Sequence, residues 1–274
     1  MPHDPAAAPL PVERFAAHDR LVVIGAAGLI VLLASLYTVF GVGMSMTALE
    51  MTRMAGPIGQ PMQMGTGPVW TAAYAGLIFL MWWVMMIAMM TPSATPVLLL
   101  FTAVKKAGPE AALAPRLSLL FLTGYLLAWA GFSALATTLQ WGLEAAALSD
   151  GPMMALRSRL LAGGVLAAAG LYQLTPIKEA CLEHCKSPAQ FLALHARPGA
   201  RGALRTGMHH GAYCLGCCWV LMALLFAGGI MNLYWITGLA LYVLAEKLLP
   251  GGRLFSRVSG GVLLAAGAWV ILTS

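Results

Sequence analysis

The chain has 274 residues, 60% of them hydrophobic and 9% charged, where soluble domains carry about 25% charged residues. So few charges cannot coat a water-facing surface of this size, which excludes a soluble globular class and predicts a polytopic membrane protein. The formal net charge of +6 comes from Lys and Arg placed between apolar runs, not along one face, which argues against nucleic acid as a partner.

Residues 1–20 are Pro- and Ala-rich and read as a disordered cytoplasmic tail. The first apolar run, Leu21 to Val42, is too long for a signal-peptide core of roughly 7–15 residues. Seven apolar spans follow the hydropathy pattern: about 21–42, 70–90, 117–140, 158–176, 211–229, 231–248 and 258–273. Each approaches the ~20 residues a helix needs to cross the hydrocarbon core. Helices satisfy their backbone groups internally in lipid, and the alternating strands of a membrane barrel are not present. The expected fold is all-α, a polytopic transmembrane helical bundle, with residues 21–274 forming a single domain.

With the N-terminus inside, the inward segments collect all Lys and Arg except Arg53, Arg157 and Arg159. That asymmetry predicts a cytoplasmic N-terminus and an outward C-terminus in a multi-pass membrane protein. Every cysteine then faces the cytoplasm, where thiols stay reduced, so structural disulfides are not expected.

The outer loop, residues 43–69, carries Met44, Met46, Met51, Met54, Met62 and Met64. Thioethers suit Cu(I), and they equally suit a flexible loop packing on the membrane rim. In the second span, Met81, Met85 and Met89 recur at helical spacing, and Met86 and Met90 form an adjacent stripe that Trp82 begins. This ladder runs into Thr91, Pro92, Ser93, Thr95 and Pro96, and apolar residues resume to Ala103. A straight helix over 70–103 would be ~50 Å long, so the prolines are expected to break or tilt it. The ladder Met85, Met86, Met89 and Met90 is a candidate metal relay; gap-filling between helices is the plainer use of the same residues.

The third and fourth spans add little chemistry. Gly163, Gly164 and Gly170 predict close helix contacts, and Tyr172 and Gln173 could line a cavity. The sixth and seventh spans read as structural, with Lys247 snorkelling from a helix end to the interface.

All five cysteines fall in two runs around the region 177–210. Cys181, His184 and Cys185 share one face if their segment is helical, and His210, Cys214, Cys217 and Cys218 form a second stripe at the start of the fifth span. Thiolate and imidazole select Cu(I) or Zn(II), and the added methionines favour Cu(I). The graded series from thioether to thiolate would suit copper moving inward. The function read from the residues is copper transport or delivery, with a cuproenzyme or a copper chaperone as partner. Three alternatives use the same residues: a thiol–disulfide electron carrier built on Cys214 and Cys217, a mercury-type soft-metal importer, and a zinc-stapled structural protein. No hydrolase, nucleotide-binding or dinucleotide motif is present.

Three runs carry a family resemblance. They are Trp83-x-x-Met86-x-Ala88-Met89-Met90-Thr91-Pro92, then Tyr172-Gln173-Leu174-Thr175-Pro176-Ile177-Lys178-x-x-Cys181-Leu182-x-x-Cys185, then Tyr213-Cys214-x-Gly216-Cys217-Cys218-Trp219. Together they resemble a bacterial domain-of-unknown-function family described as predicted metal-binding integral membrane proteins, some of whose members carry a copper-chaperone label. The resemblance covers most of the chain from about residue 70 and implies metal binding without fixing the role.

Overall fold

Apolar residues in unbroken runs form helices between the Thr, Asn, Pro and Gly residues that stop them, and a computed structural model shows this over nearly the whole chain. The structure describes residues 11–61, 69–150, 154–249 and 251–273. Met62 and Met64 of the outer loop, and residues 1–10 of the expected tail, lie outside the described residues.

The elements are α1 (Pro11–Phe40), α2 (Ala48–Arg53), α3 (Ala72–Ala107), α4 (Ala114–Ala145), β1 (Ser149–Asp150), β2 (Ala155–Leu156), α5 (Arg159–Gln173), α6 (Pro176–Lys186), α7 (Pro188–His195), α8 (Gly199–Gly228), α9 (Leu233–Leu248) and α10 (Gly252–Leu272). Five helices are long and apolar enough to cross a membrane, or six if the bent pair α5–α6 counts as one span. The seven expected spans are not all of that kind. The fourth is broken, because Thr175 caps a new helix that Pro176 opens, and α6 leaves α5 at 65°. The sixth corresponds to α9, which has only 16 residues. The fold is also not wholly helical: β1 and β2 pair antiparallel, Ser149 opposite Leu156, in the α4–α5 connection. The Arg157 guanidinium lies 3.3 Å from the buried Asp150 carboxylate there.

The region 177–210 is mostly helix, formed by α6, α7 and the first turns of α8. Helix α1 starts at Pro11, ahead of the apolar run. Helix α3 continues through Pro92 and Pro96 to Ala107 without interruption. Side-chain hydroxyls accompany the prolines: Thr91 Oγ1 donates to Ile87 O (2.7 Å), Ser93 Oγ to Met90 O (2.9 Å) and Thr95 Oγ1 to Thr91 O (3.0 Å). At ~1.5 Å per residue this helix exceeds the hydrocarbon thickness, and its last turn carries Lys105 and Lys106.

Small residues bring the helices together, as expected where lipid removes the hydrophobic drive for helix association. A Cβ on Gly170 would lie 2.7 Å from Gly260 O, and one on Gly267 would lie 2.7 Å from Gly163 O, so α5 and α10 touch along their backbones. Gly164 faces open space and takes no part. Between α4 and α8, a Cβ on Gly211 would meet Ala128 Cβ at 2.6 Å and Tyr125 O at 3.1 Å. That closeness lets a side chain of α4 reach the cysteines of α8. The exposed Leu29, Leu33 and Leu36 of α1, with Val262 and Trp269 of α10, give the bundle an apolar outer surface.

Candidate metal centre

Helix α8 carries His210, Cys214, Cys217 and Cys218 on its inner side, and all four are buried. Helix α6 packs on α8 and brings Cys185 into the same interior. There the Cys185 thiol lies close enough to Cys214 and Cys217 to interact with both. The Cys217 and Cys218 thiols both donate to Cys214 O, at 3.1 and 2.9 Å. All five thiols of the chain are free.

Cys214 is the centre of this group. Its Sγ lies 2.9 Å from Lys247 Nζ and 3.1 Å from the Tyr125 hydroxyl. Lys247 also donates to Ser93 Oγ at 3.1 Å, and Tyr125 to Met90 O at 3.1 Å. Two helices thus reach this sulfur, α4 through Tyr125 and α9 through Lys247, and α3 holds both of those side chains through Ser93 and the Met90 carbonyl. A buried ammonium is costly unless it is paired and hydrogen-bonded. Cys214 and Ser93 supply that pairing.

His210 lies one turn before Cys214, between the rings of Phe121, Tyr125 and Phe191, with centroids 6.1, 5.7 and 5.1 Å away. Its Nδ1 has no hydrogen-bond partner although it is buried. Cys181 is partly exposed on α6. Its sulfur fits against Gly216, where a Cβ would come within 2.7 Å of it, and the Tyr172 hydroxyl donates to Gly216 O beside it. His184 stacks flat on Tyr213 at 4.3 Å, with Nδ1 2.8 Å from Ala180 O. Only its Nε2 remains open for another partner. Met85, Met86, Met89 and Met90 are buried in α3, and what ties the ladder to Cys214 is the Met90 carbonyl. Met51 of the outer segment is buried, while Met44 and Met46 pack partly exposed on the core.

Among the described residues, no three His, Cys, Asp or Glu side chains are arranged to close around a metal ion. The donor set still suits a soft cation: sulfurs of Cys185 and Cys214 from two helices, further thiols within one turn, and an orphaned imidazole nitrogen.

A family model described as PpoB2, copper chaperone, matches residues 79–270. The chain belongs to this family. The match takes in the Met ladder, both cysteine runs and Lys247, and ties the chain to copper. No curated protein and no solved structure matches it.

Lys247 does not snorkel to the interface as expected. Its side chain turns inward to Cys214, and its neighbour Glu246 is also buried, 2.5 Å from Lys178. Gln173 accepts from Lys178, and Tyr242 and Ser256 donate to Glu246 Oε1 at 3.1 and 2.5 Å. The helix that looked structural therefore supplies two buried charges. The signal was present in the sequence: ionisable residues at membrane depth are expensive and functional by default.

Farther out, Glu110 accepts from Lys105 Nζ at 2.5 Å and from the Gly199 N–H at 2.7 Å. The hydrogen bond from Lys105, then that from the Gly199 backbone, hold its carboxyl below the usual carboxylate range. This latch ties the end of α3 to the start of α8.

Proposed function

We propose that this chain is a multi-pass protein of the bacterial inner membrane that binds Cu(I) through the thiols of α6 and α8, and passes it to a cuproenzyme or to another copper chaperone. The observation that carries the reading is the meeting of Cys185 with Cys214 and Cys217 in a buried interior, in a chain of a copper-chaperone family. Thiolate sulfur in a buried interior favours a soft cation over harder ions. Cys181 and His184, less buried on the same helix, are the receiving or releasing ligands. Met85, Met86, Met89 and Met90 form the thioether route on the other side. His210 is an auxiliary ligand through its unpartnered nitrogen. With the N-terminus in the cytoplasm, the thiols lie on the cytoplasmic side, where they remain reduced.

The test is elemental analysis of the detergent-solubilised protein purified anaerobically after growth with copper. Copper should co-purify with the wild type and disappear when Cys214, Cys217 and Cys218 are all changed to Ser. Equal copper in both proteins, or none in the wild type after anaerobic loading, would refute the assignment.

A further inference from the structure

The cation beside the thiols bears on which metals they accept. Lys247 Nζ sits 2.9 Å from Cys214 Sγ and 3.1 Å from Ser93 Oγ, and its side chain is buried. Among the described residues, no carboxylate pairs with it. The nearby Lys178 is different, because Glu246 lies 2.5 Å from its ammonium and cancels its charge locally. Lys247 is thus a buried positive charge that faces the cysteines with no carboxylate beside it, so its counter-charge has to come from sulfur. The Cys217 and Cys218 thiols are occupied in donating to Cys214 O. Cys185 and Cys214, one from each helix, are the pair that one cation can bridge between α6 and α8.

We propose that Lys247 is a specificity-determining residue that makes the Cys185–Cys214 site select a monovalent soft cation over a divalent one. This rests on the copper-binding reading above. A monovalent cation replaces the two thiol protons, which leave with the solvent or the metal donor. The resulting bis-thiolate complex carries one negative charge, and no electron is transferred. The Lys247 ammonium neutralises that complex, and the buried centre is uncharged overall. A divalent cation on the same two thiolates is already neutral, so Lys247 leaves the centre with a net positive charge. In a low-dielectric interior that surplus is expensive. Zn(II) and Cd(II) are disfavoured by charge even though sulfur suits them.

The experiment titrates the full-length protein in detergent, under reducing anaerobic conditions, with Cu(I), Ag(I), Zn(II) and Cd(II) in separate competition assays. Thiolate-to-metal absorbance is the second readout. The wild type should prefer Ag(I) and Cu(I). In Lys247→Met, affinity for the monovalent ions should fall by about tenfold or more relative to that for Cd(II), and Lys247→Arg should keep the wild-type order. Ser93→Asp places a carboxylate beside Nζ and cancels its charge with the lysine present. It should shift the preference the same way, and it reads the effect if Lys247→Met does not fold. An unchanged monovalent-to-divalent ratio in either folded variant overturns the inference while leaving copper binding in place. A wild type that takes up neither Cu(I) nor Ag(I) overturns both.

Discussion

Lys178 and Glu246 meet at 2.5 Å with neither side chain exposed. One comes from the first turn of α6, the other from the end of α9, so the pair locks the cysteine-bearing helix against the helix that carries Lys247. Breaking a buried pair strands a charge, at about 3–5 kcal/mol, whereas replacing both partners with apolar residues of similar volume is often neutral. Lys178→Met alone should lower the thermal transition in detergent sharply. The double variant Lys178→Met with Glu246→Leu should recover most of the loss. A double variant as unstable as the single one would show that the pair is not the lock described.

Gly211 and Gly216 of α8 should respond differently to alanine. At Gly211 the added Cβ meets Ala128 Cβ at 2.6 Å and backbone at Tyr125 O, so α4 and α8 must separate, at about 1–3 kcal/mol. At Gly216 it meets only the Cys181 sulfur at 2.7 Å and Cys181 Cβ at 3.4 Å, and that side chain can turn away. Gly211→Ala should destabilise the protein and loosen the Tyr125–Cys214 contact. Gly216→Ala should keep the wild-type thermal transition and speed alkylation of Cys181. Equal transitions for both variants would contradict the packing.

Thiol reactivity should follow burial. Cys181 is partly exposed, while Cys214, Cys217 and Cys218 have no exposed surface. In metal-free protein, a charged maleimide should label Cys181 first and the α8 cysteines only on unfolding. Labelling followed by peptide mass analysis reads this directly, and rapid labelling of Cys217 in the folded protein would contradict the buried centre.

The Glu110 latch gives a pH dependence. Its carboxyl is held below the usual carboxylate range by Lys105 and the Gly199 N–H. A depressed carboxyl contributes stability that is fully present above its unfolded value and is lost as the pH falls through the lower, folded one. Amide exchange at Gly199, corrected for its intrinsic pH dependence, should therefore rise on acidification through and below the usual carboxylate range. Glu110→Gln should raise it at neutral pH and flatten the acid response. An acid response that survives in Glu110→Gln would assign it to another group.

The cysteine stripes were legible in the sequence because helical spacing places His210, Cys214, Cys217 and Cys218 together, and because Cys181 and Cys185 recur one turn apart. The structure adds that Cys185 is buried in the interior while Cys181 stays partly exposed against Gly216, a difference of facing that spacing alone does not decide. Tyr125 and Ser93 were not legible as site residues, and Lys247 was legible only as an ionisable residue at membrane depth, without its partner. Each stands alone in its own helix, and they meet only through tertiary packing that Gly211 permits between α4 and α8. The fourth span was read as one helix, and the 65° turn into a second one depends on Thr175 capping α6 where Pro176 opens it. The β1–β2 pairing follows from four residues without a strand-like pattern.

Copper K-edge absorption of the anaerobically loaded protein tests the central claim most directly. Sulfur should dominate the first coordination sphere of a Cu(I) centre in the wild type, and that signal should vanish in the protein with Cys185 and Cys214 both changed to Ser. Copper held by oxygen and nitrogen alone, or a sulfur shell that persists in the double variant, would contradict a centre built from α6 and α8.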